Sequence, residues 1–302
     1  QSRGYDIAKG EAIDALDLAA QGDAYHPVQD WLLSCKDREP YDICRLASEF
    51  LRPNDLSGPE TIYDRMLVKT LVGAVRRAFE PGCQHDTCLV LQGEGGSRKT
   101  SFWRTLFDPW FTTFRGRIGS KDAMLTVHRF WGLELGELDG ITSQTHAGHL
   151  KNFLSTNVDS FRTPYGRKVS PVPRHSVFLG TCNEGTFLVD PTGNRRWWII
   201  PVTRTRQDQI DTDALVRLKP RIWAEAYRLF LNGYSSYLNE SDERLNDLIN
   251  DDFGEDNPLE EHINSFIRTR PDCTQIAPSE LYAELARTSD IFRKMTDRRG
   301  QM

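Results

Sequence analysis

The chain has 302 residues, 38% of them hydrophobic and 27% charged, and a formal net charge of −5. That length holds one large domain or two smaller ones, with enough apolar residues for a buried core. The charge balance excludes a globally basic nucleic-acid coat and leaves room only for a local basic channel. No apolar run nears the roughly 18 residues of a membrane span.

The first stretch, QSRGYDIAKGEAIDALDLAA, lacks the apolar core of a signal peptide. The chain opens on Gln1 rather than Met, and its last helices look unfinished, so a fragment of a longer protein is expected. None of the six cysteines forms a CxxC pair. Cys83, His85 and Cys88 lack a second ligand pair at zinc spacing. Reduced thiols in a cytoplasmic protein are the expectation.

Up to about residue 80 the pattern is helical. HPVQDWLLSC and YDICRLASEFL carry apolar residues three and four apart, and TIYDRMLVKTLVGAVRRAFE has a broad apolar face stopped by Pro81 and Gly82. TCLVLQ then reads as a buried strand, LQGEGGSRKT as a glycine loop and SFWRTLF as a helix. A second strand, FWGLELGEL, starts near Phe130, and HLKNFLSTN reads as a helix. Residues 161–175 look like two extended arms around Gly166. SVFLGT and RWWIIPV are two more buried strands; Trp197 and Trp198 alternate, one toward the core and the other toward an interface. Residues 213–232 return to helix, and the acidic stretch NESDERLNDLINDDFGEDNPLEE reads as a linker or an exposed helix face. EEHINSFIRTR and PSELYAELA look like short helices of a small separate domain. Alternating helices and strands predict an α/β fold with a parallel sheet. The expected divisions are a helical region at 1–80, a core at 81–235 and a helical remainder at 236–302.

The glycine loop has the frame of a phosphate-binding loop: Gly93, four residues, a position normally Gly, then Lys99 and Thr100. Arg98 stands at that last glycine position. Such loops hold phosphate oxygens with successive backbone N–H groups and the positive end of the next helix. Gly93, Glu94, Gly95, Gly96, Ser97, Arg98, Lys99, Thr100 and Ser101 are therefore the candidate nucleotide-binding residues. Lys99 would reach the β- and γ-phosphates, and the Thr100 hydroxyl would hold Mg²⁺. A Cβ at position 98 crowds a tight turn, yet the Arg98 N–H can still donate.

GLELGELDG supplies Glu134, Glu137 and Asp139 after the second strand. Glu134 is assigned to the metal together with Thr100, and Glu137 to activating the attacking water; the reverse assignment stays open. Asn183, at the tip of the SVFLGTCN strand, is placed to bond the water or the phosphate. Arg195 and Arg196 precede a very apolar strand and suit a role in a neighbouring subunit's site. Arg162, Tyr165, Arg167, Lys168 and Arg174 form a basic segment with an aromatic, the composition that grips a single nucleic-acid strand.

Taken in order, HPVQDWL, VGAVRRAFEPGCQHDTCLVLQGEGGSRKTSFWRTLF, WGLELGEL, KNFLSTNVDSFRTPYGRK, PRHSVFLGTCNE and FLVDPTGNRRWWIIPV resemble the virulence-associated protein E family of phage- and plasmid-type primase–helicases, similar to superfamily 3 helicases. The resemblance implies an AAA+-like P-loop core with an N-terminal helical collar and the start of a winged-helix segment after residue 257. It implies an ATP-hydrolysing, DNA-translocating homo-oligomer, usually a hexameric ring, with an upstream primase domain or primase partner. On it Lys99 and Thr100 carry the Walker A roles, Glu134 and Glu137 the Walker B roles, Asn183 is the sensor, and Arg195 or Arg196 is the finger supplied in trans. The 161–175 hairpin would hold single-stranded DNA in the pore. The family pattern has Gly where this chain has Arg98, and so the alternative is a protein that assembles on DNA without efficient ATP turnover. A kinase-like phosphotransferase is disfavoured, since nothing resembles an acceptor site.

Overall fold

The computed structural model describes residues 8–22, 25–53, 60–114, 118–136, 144–161, 169–183 and 194–253, with Arg268. Residues 1–253 form one compact unit and residues 254–302 a second. The expected helices EEHINSFIRTR and PSELYAELA, and the winged-helix start, lie outside the described residues apart from Arg268.

The strands are short: β1 (Cys88–Gln92), β2 (Phe111–Thr113), β3 (Gly132–Leu135), β4 (Val158–Phe161), β5 (Ser170–Pro173), β6 (Val177–Cys182) and β7 (Trp197–Pro201); β1, β3, β6 and β7 are buried, whereas β4 and β5 are largely exposed. Five of them make one sheet in the order β2-β3-β6-β1-β7. Every pairing in it is parallel. Continuous apolar runs such as CLVLQ and WWIIP are what a parallel sheet covered on both faces requires. The chain leaves central β1 for the far edge, returns through β3 and β6, and then crosses to β7 on the other side of β1. In register, Gln92 lies opposite Cys182 on one side and Pro201 on the other. The carboxyl end of β1 is thus a topological switch point, where open α/β sheets bind ligands. β4 and β5 pair antiparallel as a separate ribbon; of the arms expected at 161–175, the second contains β5, the first meets β4 only at Phe161, and residues 162–168 lie outside the described residues.

The helices are α1 (Lys9–Gly22), α2 (Pro27–Cys35), α3 (Leu46–Phe50), α4 (Ile62–Phe79), α5 (Lys99–Phe107), α6 (Lys121–Arg129), α7 (Gln144–Ser155), α8 (Thr212–Leu231) and α9 (Glu240–Asp252). α4 begins with a capping box in which the Thr61 hydroxyl accepts from the Asp64 amide and Asp64 accepts from the Thr61 amide. The same carboxylate takes the Ser48 amide and hydroxyl, at 2.8 and 2.5 Å, so α3 is fixed to α4. α4 is buried nearly all round, the behaviour of a central rather than a surface helix. It packs with α2, α3, α5 and α8 on one face of the sheet, around Trp103, Trp131 and Trp223. Each of these indoles donates to a carbonyl, Gly180, Ala74 and Leu106 respectively. α6 and α7 cover the other face. The helical region and the sheet therefore share one core, and the packing has no boundary near residue 80.

Two expectations are corrected here. Trp197 and Trp198 do point to opposite faces, but both are buried, because both faces are covered. Over its described part, residues 239–253, the acidic stretch is neither linker nor wholly exposed: Asp242, Asn246 and Asn250, four apart on α9, are buried. Asp242 takes a two-pronged bond from Arg65 of α4, and the Asn250 amide donates to the Asn194 and Trp197 carbonyls. α9 docks by a polar stripe, which an apolar periodicity does not reveal.

Candidate nucleotide-binding site

The glycine loop occupies the turn from β1 into α5. Gly93 is required by close approach: a Cβ there would lie 2.4 Å from the Val202 carbonyl oxygen. Ser97 closes the turn by donating its hydroxyl to the Glu94 carbonyl at 2.9 Å. Arg98 is the N-cap of α5 and sits at φ 72°, ψ 30°, in the left-handed region. Only glycine enters that region without a Cβ clash, which explains in physical terms why the motif asks for glycine there. The guanidinium of Arg98 donates to the Thr212 hydroxyl at the start of α8, 3.2 Å away. Arg98→Gly is expected to raise stability by about 1 kcal/mol, the left-handed penalty less the extra chain entropy of glycine. For a unit of this size that is about 2–4 °C in a thermal melt. A lower melting temperature would contradict the assignment of strain to this residue.

Lys99 is 6% exposed and folds back over the loop. Its ammonium donates to the Gly93 carbonyl at 2.6 Å, the Glu94 carbonyl at 2.9 Å and the Asn183 side-chain oxygen at 3.0 Å. Asn183 follows β6, so the lysine joins two adjacent strand ends. One residue on, the Thr100 hydroxyl donates to Glu134 Oε1 at 2.6 Å. Glu134, on β3, is 1% exposed. Thr113 of β2 donates to its Oε2 at 2.9 Å, and Thr181 of β6 to its Oε1 at 3.0 Å. Three hydroxyls from three elements thus surround one buried carboxylate, which satisfies acceptors that would otherwise be costly to bury. Thr113 and Thr181 escaped the sequence reading. Their signal is register: Thr113 is the β2 partner of Glu134, and Thr181 lies two residues beyond Leu179, its β6 partner.

These groups line a cleft of about 810 Å³ bounded by Gly96, Lys99, Thr100, Glu134, Thr181 and Asn183. That volume suits a nucleotide-sized ligand. The donor set fits magnesium, because Thr100 and Glu134 offer hard oxygens already in contact. Ser101, on the first turn of α5, lines the same cleft.

The remaining candidates divide. Glu137 and Asp139, and Arg162, Tyr165, Arg167 and Lys168, lie outside the described residues. Arg174 does not belong to a DNA-facing surface: it is 1% exposed. Its guanidinium donates to both Asp159 oxygens, at 2.6 and 2.8 Å, and to the Phe153 carbonyl. It ties the β4–β5 ribbon to α7 and leaves nothing for a phosphate. Burial alone would raise the Asp159 carboxyl, but bonds from Arg174 and His128 outweigh it and hold it down at about 2. Arg195 and Arg196 lie in a 3-10 turn, Asn194–Arg196, at the amino end of β7. That is the far end of the sheet from Gly93. Arg196 is held within its own chain, by Ser155 Oγ at 3.0 Å and Asp86 at 3.5 Å, whereas Arg195 is exposed.

Fold and site together define a class: an α/β protein with a strand, glycine loop and helix at the switch point of a parallel sheet, and a Lys, Thr, Asn and buried Glu converging there. The family profile described as the virulence-associated protein E-like domain matches residues 40–255. The chain belongs to the virulence-associated protein E-like family. Among solved structures it is similar to the apo structure of the NrS-1 C-terminal region (305–718), with a TM-score of 0.51 and 10% identity over 83% of this chain. The chain spans 64% of the length of that solved region. A structure described as the A form of the same region has a TM-score of 0.46 at 11% identity, over 83% of this chain and 63% of that one. No curated protein sequence matches. Among the described residues no helix is long and apolar enough to cross a membrane.

Proposed function

We propose that the chain is the ATP-driven motor of a DNA helicase or translocase, acting in the replication of a phage or other mobile element. The observation that carries this reading is the contact of Thr100 with Glu134 beside Lys99 and Asn183, at the carboxyl end of the central strand. Lys99 neutralises charge on the transferring phosphoryl group, and the loop amides and the α5 N-terminus hold the polyphosphate. Thr100 and Glu134 would hold magnesium, which would supply charge neutralisation when bound. Asn183 orients the attacking water or the phosphate. Glu137, two residues past β3, activates the water; the bond from Thr100 is what favours Glu134 for the metal. Arg195 acts in trans, which requires a homo-oligomer, a ring of six on the family's pattern. Arg162, Tyr165, Arg167 and Lys168 bind single-stranded DNA, with the aromatic stacking on a base. Family membership supports a cytoplasmic replication role and a primase domain or partner.

The test is steady-state ATP hydrolysis with and without a single-stranded oligonucleotide. The strand is expected to stimulate hydrolysis, and Arg167→Ala with Lys168→Ala to remove the stimulation and flatten the salt dependence of DNA binding by about 0.7 per charge. No hydrolysis under either condition would defeat the motor reading. The left-handed Arg98 favours a second reading, a nucleotide-holding module with little turnover. A large gain in hydrolysis in Arg98→Gly would support it.

A further inference from the structure

The segment from β7 to α8, residues 202–211, crosses the glycine loop as a strap. It is bonded to the loop along its length: the Gln209 amide donates to the Gly96 carbonyl at 2.9 Å, and the Ile210 N–H to the Ser97 carbonyl at 3.2 Å. The Arg206 N–H faces Glu94 Oε1 at 3.4 Å.

Two arginines two residues apart in this strap do different things. Arg204 is 9% exposed. It donates to the Phe50 and Glu49 carbonyls, at 3.0 and 3.1 Å, and to Asp208 at 2.8 Å. Thr203 adds a bond to the Arg52 carbonyl at 2.6 Å, and Asp208 also receives Arg52. Both halves of the strap are thus anchored to the end of α3. Arg206, between them, is exposed, and among the described residues its guanidinium has no ion pair. Its side chain lies flat against Gly96: a Cβ there would be 3.2 Å from Nε and 3.5 Å from Cγ.

We infer that Arg206 is a further nucleotide-binding residue, contacting the part of the nucleotide common to ADP and ATP. The sheet order sets which part. Asn183, Thr181 and Glu134 come from β6 and β3, on one side of β1, and mark the metal and terminal-phosphate end. Arg206 comes from the β7 side, so it meets the ligand at the other end of the loop, where the α- and β-phosphates enter. A fork of N–H donors fixed by a rigid strap suits such oxygens. Anchoring by Arg204 holds the backbone that carries Arg206, which lowers the ordering cost of the strap. Gly96 leaves the gap the side chain crosses.

The inference rests on the nucleotide-site reading, and a single titration separates their failures. Binding of fluorescent ADP and of a fluorescent non-hydrolysable ATP analogue is measured for the parent chain, Arg206→Ala and Arg206→Lys, with a thermal melt of each. Arg206 is exposed, so the melts are expected to coincide. Arg206→Ala should weaken both nucleotides about tenfold, the factor of one charge-assisted hydrogen bond, and Arg206→Lys should recover part of it. Parent-like affinity in Arg206→Ala, or a loss confined to the ATP analogue, overturns the assignment. If the parent chain binds neither nucleotide, the site itself fails and the inference with it.

Discussion

Lys99→Ala is expected to lower ATP hydrolysis by about 10²–10³-fold, the usual loss when one preorganised donor to a transferring group is removed. The ammonium is buried in the loop and bonded to the Gly93 and Glu94 carbonyls and to Asn183. On the proposed function, binding a nucleotide exchanges these three neutral acceptors for charged ones. The exchange is favourable because bonds between ions are about twice as strong as neutral ones. Removing the side chain leaves buried acceptors without their donor, so the melting temperature should also fall, by the cost of about 1–3 kcal/mol for an unpaired buried group. Steady-state hydrolysis and a melt check both halves. Unchanged hydrolysis would remove the loop from the chemistry.

Arg195→Ala should be larger in effect, about 10³-fold or more in turnover, with ADP affinity close to that of the parent. Parallel register sets the reason. Trp197 lies opposite Cys88 and Pro201 opposite Gln92, so Arg195 sits beyond the amino end of β1 while the glycine loop sits beyond its carboxyl end. The intervening strand alone is roughly 13 Å long. A side chain there cannot reach its own phosphate loop, so the proposed role in hydrolysis requires the site of a neighbouring chain. Arg196 is not equivalent, since Ser155 and Asp86 hold it within the chain. Arg196→Ala should act first on stability. Mixing Arg195→Ala with Lys99→Ala chains should restore measurable hydrolysis although each is silent alone, because sites form with Lys99 from one and Arg195 from the other. Mixtures as silent as their components would argue against a shared site.

The parts of this fold legible in the sequence are those governed by one strong local signal. CLVLQ, VFLGTC and WWIIP are continuous apolar runs, and each is a buried strand of the parallel sheet. The strand, glycine loop and helix order was legible, and Thr100 and Glu134, paired on motif grounds, are in hydrogen-bond contact. What stayed hidden depends on tertiary neighbours. β2 has three residues, too few to display any period. α9 docks through Asp242, Asn246 and Asn250, a stripe that hydropathy reads as solvent-facing. Thr113 and Thr181 matter only because parallel register sets them against Glu134. Arg174 looked like part of a basic hairpin, but its partner Asp159 is fifteen residues away on the paired strand. Arg204 and Arg206 are indistinguishable by composition and are separated only by what lies beneath them.

The most direct measurement is a crystal structure of the chain with magnesium and a non-hydrolysable ATP analogue. Lys99 should leave the Gly93 carbonyl for the terminal phosphates, and the Thr100–Glu134 bond should open to admit the metal. A cleft that at saturating nucleotide stays empty, with Lys99 still on Gly93 and Glu134 still enclosed by Thr100, Thr113 and Thr181, would contradict the nucleotide site.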